Sequence, residues 1–275
     1  MTGPVVLVAL DGSKRALGAL PVARRLAELE KASVRLLHVT EGSGPRDDTA
    51  EALGLQPADL AGATLEVRAG KSAETILAAA EGCGASLIVM CAHAADVPPA
   101  DALGAAALAV IRGAACPLVL VDPALASGGW TLRRVLAAHD GSPSVSGALG
   151  PAADLAREAG AELVVLQVAA DTRPLEPGAI APPGYLDQLQ HEWPAWSGEF
   201  LHRLACHCRL AGMPVRLLVA HGDPAKETIR VAGAESADLI ALAWCGQWEG
   251  PRASTLKAVL RGAPCPVMVT RLPAA

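Results

Sequence analysis

Val5-Val6-Leu7-Val8-Ala9-Leu10-Asp11-Gly12-Ser13 is an unbroken apolar run that stops at an acid, a glycine and a hydroxyl. It has a counterpart 129 positions later, Arg134-Val135-Leu136-Ala137-Ala138-His139-Asp140-Gly141-Ser142. An apolar run without alternation is what a parallel strand covered on both faces requires. Ser13 is placed to cap a following helix, in which Leu17, Leu20 and Ala23 stand at helical spacing. The offset of 129 also aligns Leu26-Ala27 with Leu155-Ala156, and Leu37-His38-Val39 with Leu166-Gln167-Val168. Ala85-Ser86-Leu87-Ile88 meets Ala237-Asp238-Leu239-Ile240 at an offset of 152. Arg112-Gly113-Ala114-Ala115-Cys116-Pro117 meets Arg261-Gly262-Ala263-Pro264-Cys265-Pro266 at 149. Ordered blocks of this kind mean one unit written twice. The second copy gains 152 − 129 = 23 residues between its second and third strands, then loses 152 − 149 = 3 before its last helix.

Within each copy strands and helices alternate. The first copy has strands expected at Pro4–Leu10, Val34–Val39, Thr64–Ala69, Ser86–Cys91 and Pro117–Val121, with helices from Ser72 to about Gly82 and over about Asp101–Arg112. The second has strands near Arg134–Ala138, Glu162–Val168, Val215–Ala220, Asp238–Ala243 and Val267–Thr270. This predicts an α/β chain of two tandem, doubly wound, five-stranded parallel-sheet domains, residues 1–123 and 132–275. Asp122–Thr131, with Pro123 and Ser127-Gly128-Gly129, reads as the linker. The inserted stretch Pro182–Leu210 carries Leu186, Leu189, Trp193, Trp196, Phe200 and Leu204 at helical spacing, predicting one long helix kinked at Pro194. The matching Glu41–Gly62 predicts a short or frayed helix.

Composition narrows the classes. Hydrophobic residues make up 52% and aromatics 3%, so the cores rest on Ala, Val and Leu. A net charge of −5 lacks the basic stripe that neutralises phosphates, which argues against a nucleic-acid partner. No apolar run is long enough to span a bilayer, and Asp11-Gly12 ends the first run too early for a signal peptide. Seven scattered cysteines without a CxxC pair suit reduced thiols and a cytoplasmic location.

The strand-Asp-Gly-Ser start, the Leu36-Leu37-His38-Val39 strand, the Leu87-Ile88-Val89-Met90 strand and the closing Ala115-Cys116-Pro117-Leu118-Val119-Leu120-Val121 together resemble universal stress protein (UspA-like) domains, in tandem form. The resemblance implies a Rossmann-like fold of the adenine-nucleotide-hydrolase type. It also implies an adenine-nucleotide site built from the acid after strand one, the end of strand two and a glycine loop after strand four that ends in a hydroxyl. Carried over, the site residues are Asp11, Val39, His93, Gly104 and Ala105 in the first copy, and Asp140, Val168, Gly246 and Ser254 in the second. The loop has lost most of its chemistry. In the first copy Cys91 and Ala94 stand at the leading glycine positions, Gly104 survives, Ala105 supplies no hydroxyl, and Asp96, Pro98, Pro99 and Asp101 replace donors with acids and prolines. In the second copy Ala243 and Gly246 lead, Ala253-Ser254 comes three residues early, and Trp244 and Trp248 occupy the loop, which favours a self-filled pocket over an aromatic platform.

Other groupings read as structural. Gly70-Lys71-Ser72 lacks the earlier glycine of a phosphate loop, with Leu65 in its place. His202, Cys206, His207 and Cys208 are metal-type ligands, but one helix cannot present all four to one ion. His38, His93, His139 and His221 fall near the carboxyl ends of strands, where open α/β sheets bind ligands, yet no catalytic arrangement follows from their order. The expectation is a non-enzymatic stress-response binding protein with eroded nucleotide sites that acts through contacts with a protein partner. The alternatives are a weak AMP or ATP sensor using the first domain, and a metal- or thiol-dependent protein using His202–Cys208. The two copies are expected to form an intramolecular pseudo-dimer through their last strands, and the chain to form a homodimer. The aromatics of the 182–210 helix are expected to offer a functional surface.

Overall fold

The computed structural model describes residues 3–40, 49–92, 103–122, 129–169, 178–180 and 192–272. The chain divides into two compact units, Met1–Thr131 with Cys265–Val269, and Leu132–Pro264 with Thr270–Ala275. The boundary falls at the end of the expected linker, but Cys265–Val269, expected in the second domain, groups with the first unit.

The first repeat contains β1 (Val5–Leu10), α1 (Ala19–Glu30), β2 (Ser33–Thr40), α2 (Thr49–Ala52), α3 (Pro57–Leu60), β3 (Ala63–Ala69), α4 (Ser72–Cys83), β4 (Ala85–Cys91), α5 (Ala105–Gly113) and β5 (Leu118–Val121). Its strands lie in the order β3-β2-β1-β4-β5, all parallel. All six residues of β1 are buried, as its unbroken apolar run requires. The strand order reverses at β1, which opens a crevice at its carboxyl end. Ser13 does not cap α1: its Oγ accepts the Ala16 N–H at 3.2 Å, at the start of a short 3-10 turn, Ala16–Gly18. The frayed second helix is two single turns, α2 and α3.

The second repeat contains β6 (Arg134–His139), α6 (Pro143–Ala148), α7 (Gly150–Ala159), β7 (Glu162–Ala169), α8 (Glu192–His207), β8 (Val215–His221), α9 (Pro224–Ala234), β9 (Leu239–Trp244), α10 (Pro251–Gly262) and β10 (Val267–Arg271). Strands β8-β7-β6-β9 are parallel neighbours, and the order reverses at β6. Ser142 caps α6, accepting the Val145 N–H at 3.4 Å, and Pro143 opens that helix, where a missing N–H costs nothing. The expected long helix over 182–210 is α8 within the described residues, and the segment 181–191 lies outside them. Among the described residues no helix is long and apolar enough to cross a membrane.

Candidate functional site

Asp11 leaves β1 at the switch point. Its Oδ1 accepts the Ser13 N–H at 2.9 Å and the Ser13 hydroxyl at 2.7 Å, a closed turn that fixes the carboxylate at the strand end. His38 Nδ1 donates to Leu10 O at 3.0 Å and ties β2 to the same edge. The α5 helix begins beside them: the Gly104 N–H donates to Ala92 O at 3.0 Å. These elements enclose a cavity of about 300 Å³, lined among others by Asp11, Val39, Ser72, Ile76, Cys91 and Gly104. Asp11, Val39 and Gly104 therefore share one space. Ala105 does not line it. It is exposed at the first position of α5, and one turn of helix brings Ala106 and Ala107 to the wall instead. His93, Ala94, Asp96, Pro98, Pro99 and Asp101 lie outside the described residues. Burial, with the negative charge of Asp11 next in size, pushes the Cys91 thiol up to about 12, so it is a neutral, soft wall rather than a nucleophile.

The second repeat builds a cavity from equivalent positions and narrows it. Its volume is about 90 Å³. At the offset of 129, Asp140 and Val168 replace Asp11 and Val39, and Val145 replaces Ala16. At 152, Pro224 and Thr228 stand for Ser72 and Ile76. At 149, Thr255 and Leu256 stand for Ala106 and Ala107, and Arg252 stands for Leu103. Larger side chains at Val145, Thr255 and Leu256 account for the narrowing. Arg252 adds a charge, its guanidinium lying 2.5 Å from Asp140 Oδ2. Asp140 Oδ1 accepts the Ser142 N–H at 3.1 Å and hydroxyl at 2.6 Å, so both carboxylate oxygens are engaged. Burial works to raise this carboxyl, but the Ser142 hydrogen bonds and the Arg252 cation outweigh it and hold it below the usual range.

Two expected residues are displaced. Ser254 does not reach the cavity: it sits within α10, exposed, its hydroxyl donating to Gly250 O at 3.3 Å. The helix starts at Pro251, and its rotation brings Thr255 to the wall instead. Gly246 also lies off the wall, with φ +82°. Trp244 is fully buried, edge-on to Trp248 with ring centroids 5.2 Å apart, and Lys257 Nζ sits 4.5 Å from the Trp248 ring centre. Neither indole is among the described residues that line the second cavity, so its narrowing is not the work of the tryptophans.

His139 and Asp140 form no dyad. His139 Nδ1 accepts the Gly141 N–H at 2.8 Å, so its proton is on Nε2, 2.8 Å from Ser146 Oγ. Its ring packs edge-on against Phe200 at 4.8 Å. Burial lowers its pKa to about 4, with Asp140 working weakly the other way. Gly141, with φ +83°, lies under Ile180: Ile180 N–H donates to Gly141 O at 3.0 Å, and Gln167 Nε2 donates to Ile180 O at 2.8 Å.

The His/Cys cluster does not converge. Cys206 is exposed and its thiol donates to His202 O, while Cys208 is buried and donates to Ser146 O at 3.4 Å. Among the described residues no three metal-type side chains gather to hold an ion. The aromatic surface expected on α8 is corrected at two of its three residues. Trp196 and Phe200 are buried, 5.1 Å apart, because their helix face packs inward with Leu204. The side chain of Trp193 lies outside the described ones.

Sequence reasoning missed Ser72, Ile76 and Arg252. The repeat offsets carried the signal for the first two, since Ser72 and Ile76 align with Pro224 and Thr228 once the 152 register is extended.

Comparison with known proteins agrees with this fold. The model of the universal stress protein family matches residues 4–122 and again 131–271. A functionally unknown protein from Pseudomonas aeruginosa PAO1 is similar over 98% of this chain and 92% of its own, with 20% identity and a TM-score of 0.68. A putative universal stress protein from Pseudomonas aeruginosa UCBPP-PA14 covers 98% and 93%, at 20% identity and 0.69. A universal stress protein from Archaeoglobus fulgidus DSM 4304 covers 97% and 98%, at 18% identity and 0.66. No curated protein sequence matches the chain.

Proposed function

Because the chain belongs to the universal stress protein family, we propose that it is a non-enzymatic stress-response binding protein with one open ligand cavity, in the first repeat, and one closed by its own side chains, in the second. The observation that carries this reading is the contrast between equivalent cavities of about 300 and 90 Å³. Output passes through protein contacts, and the paired domains act in the cytoplasm as an intramolecular pseudo-dimer. Among the described residues no side chain lining either cavity has the form of an activated nucleophile with its base: Cys91 is held as a thiol, and His139 is committed to Gly141 and Ser146.

A second reading, a weak adenine-nucleotide sensor, is favoured by one observation: Asp11, Val39 and Gly104 line one cavity. Native mass spectrometry of the freshly purified full chain tests both. One small molecule per chain, lost in Asp11→Ala, is the expected result. Two per chain would show the second cavity open, and steady release of a hydrolysed nucleotide would overturn the non-enzymatic reading.

A further inference from the structure

We propose that the second repeat holds a further ligand site, between β6, α6 and α8, that takes a monocyclic aromatic carboxylate bearing a ring hydroxyl. Ala138, Leu166 and Val168 wall the strand-end cavity, and strand alternation turns the next side chain, His139, to the opposite face of the sheet, onto Ser146 of α6 and Phe200 of α8. There a separate cavity of about 160 Å³ is lined, among others, by His139, Ser146, Ile180, Phe200, Arg203 and Cys206. Its α8 residues come from the inserted stretch that distinguishes the second repeat from the first. The inner end is polar where a core would be apolar. His139 is 5% exposed and Ser146 4%, and the first repeat has Leu10 and Leu17 at these positions. The His139 Nε2–H donates to Ser146 Oγ at 2.8 Å, and the hydroxyl donates to Ser142 O at 3.4 Å, which leaves Ser146 one acceptor lone pair. His139 is the donor in that bond, so it cannot draw a proton from Ser146, and the pair binds rather than reacts. Beside His139 in the β6–β7 register, Gln167 is 2% exposed and donates to Ile180 O at 2.8 Å, while its Oε1 has no partner among the described residues. Spare buried acceptors at this end call for a ligand that donates, which a hydroxyl does and a carboxylate does not.

The wall is aromatic and the outer side cationic. Phe200 is 2% exposed and lines the cavity, its ring already edge-on to His139 at 4.8 Å. A cavity of roughly 150 Å³ holds one benzene ring, so this volume admits a single ring and excludes a nucleoside. Arg203 commits Nε to Glu199 at 2.7 Å and Nη1 to Gly178 O at 2.8 Å, and its Nη2 makes no hydrogen bond among the described residues. No acidic side chain is among the described lining. A guanidinium nitrogen on the exposed side of an apolar cavity matches a carboxylate. Hydroxyl inward, ring on Phe200 and carboxylate on Arg203 together define the ligand class. None of the three depends on what the strand-end cavities bind.

The test is calorimetric titration of the full chain with meta- and para-hydroxybenzoate, benzoate and phenol, joined to iodoacetamide alkylation of Cys206 read by peptide mass spectrometry. A hydroxybenzoate is expected to bind once per chain, with benzoate and phenol each about tenfold weaker, the effect of one lost hydrogen bond. Arg203→Gln, at an exposed position, should weaken hydroxybenzoate about tenfold and leave phenol unchanged. Ser146→Ala should erase the preference for hydroxybenzoate over benzoate, with circular dichroism reporting the fold; if that variant does not fold, Arg203→Gln and the alkylation rate decide. Bound hydroxybenzoate should slow alkylation of Cys206, an exposed thiol on the lining. Benzoate binding as tightly as hydroxybenzoate would overturn the ligand class. Binding that Arg203→Gln does not weaken and that leaves Cys206 alkylation unchanged would overturn the site, as would no binding by either hydroxybenzoate at millimolar concentration.

Discussion

His139 makes the second repeat sensitive to mild acid. The residue is 5% exposed, its Nδ1 is occupied by the Gly141 N–H and its Nε2–H by Ser146, and burial lowers its pKa to about 4 from the usual 6.5. A second proton on Nδ1 would set two donors against each other inside the domain. Between about pH 4 and 6.5 the unfolded chain therefore binds a proton that the folded chain refuses, and stability falls as pH is lowered through that window. At about pH 5 the linkage relation gives a loss of roughly 2 kcal/mol relative to about pH 7. Urea unfolding followed by tryptophan fluorescence measures it, since Trp196 and Trp244 are buried in this repeat. His139→Leu, which installs the residue the first repeat has at Leu10, loses the two hydrogen bonds at every pH but should lose the acid slope as well. The comparison is therefore of slopes, which also cancels the carboxylates common to both proteins. Equal slopes in wild type and variant between about pH 5 and 7 would refute the assignment of a neutral, buried His139.

Three further outcomes are expected. Leu256→Ala, matching the alanine found at Ala107, should destabilise the second repeat by about 2–5 kcal/mol, and combined with Arg252→Leu should raise the number of small molecules retained per chain in native mass spectrometry. Gly141→Ala should lower the melting temperature far more than Gly12→Ala: both positions have positive φ, but the new Cβ at 141 would lie 2.4 Å from Ile180 O, whereas at 12 it meets the His38 ring at 3.3 Å. The depressed Asp140 carboxyl contributes stability above its unfolded value of about 3.8 that is lost as pH falls through the lower folded value, so Asp140→Asn should flatten the acid limb of a stability–pH curve.

The fold was legible because it is written in local and repeated signals. The apolar run before Asp11 and its copy before Asp140 state a buried parallel strand, and the block offsets locate the insertion that holds α8. The site was legible as far as its strand ends: Asp11, Val39, Asp140 and Val168 line the cavities. What failed was the helix that closes each cavity. Counting from a glycine pattern selects Ala105 and Ser254, but wall residues are chosen by where α5 and α10 begin and how they turn, which brings in Ala106, Ala107, Thr255 and Leu256. The Asp140–Arg252 pair joins residues 112 positions apart, and nothing local in the chain announces it. The aromatic spacing of α8 was read correctly as helical, but spacing alone does not say that Trp196 and Phe200 face inward.

The two cavities differ in how far their walls are packed. A binding cavity is an under-packed place, and its walls forgo contacts that a filled core would make. The larger side chains at the second cavity recover some of those contacts and gain burial. Leu256 is 2% exposed and Val145 4%, and each adds apolar area over the alanine it replaces. Apolar side chains alone at this wall would leave the half-buried Asp140 carboxylate without a cation, which is costly. Arg252 answers that cost within the same helix that brings Thr255 and Leu256. In the first repeat Asp11 remains exposed and needs no such partner, so Leu103 suffices at the equivalent position. The ion pair and the apolar filling are thus one change with two parts, and reverting either alone should destabilise the second repeat more than it opens the cavity.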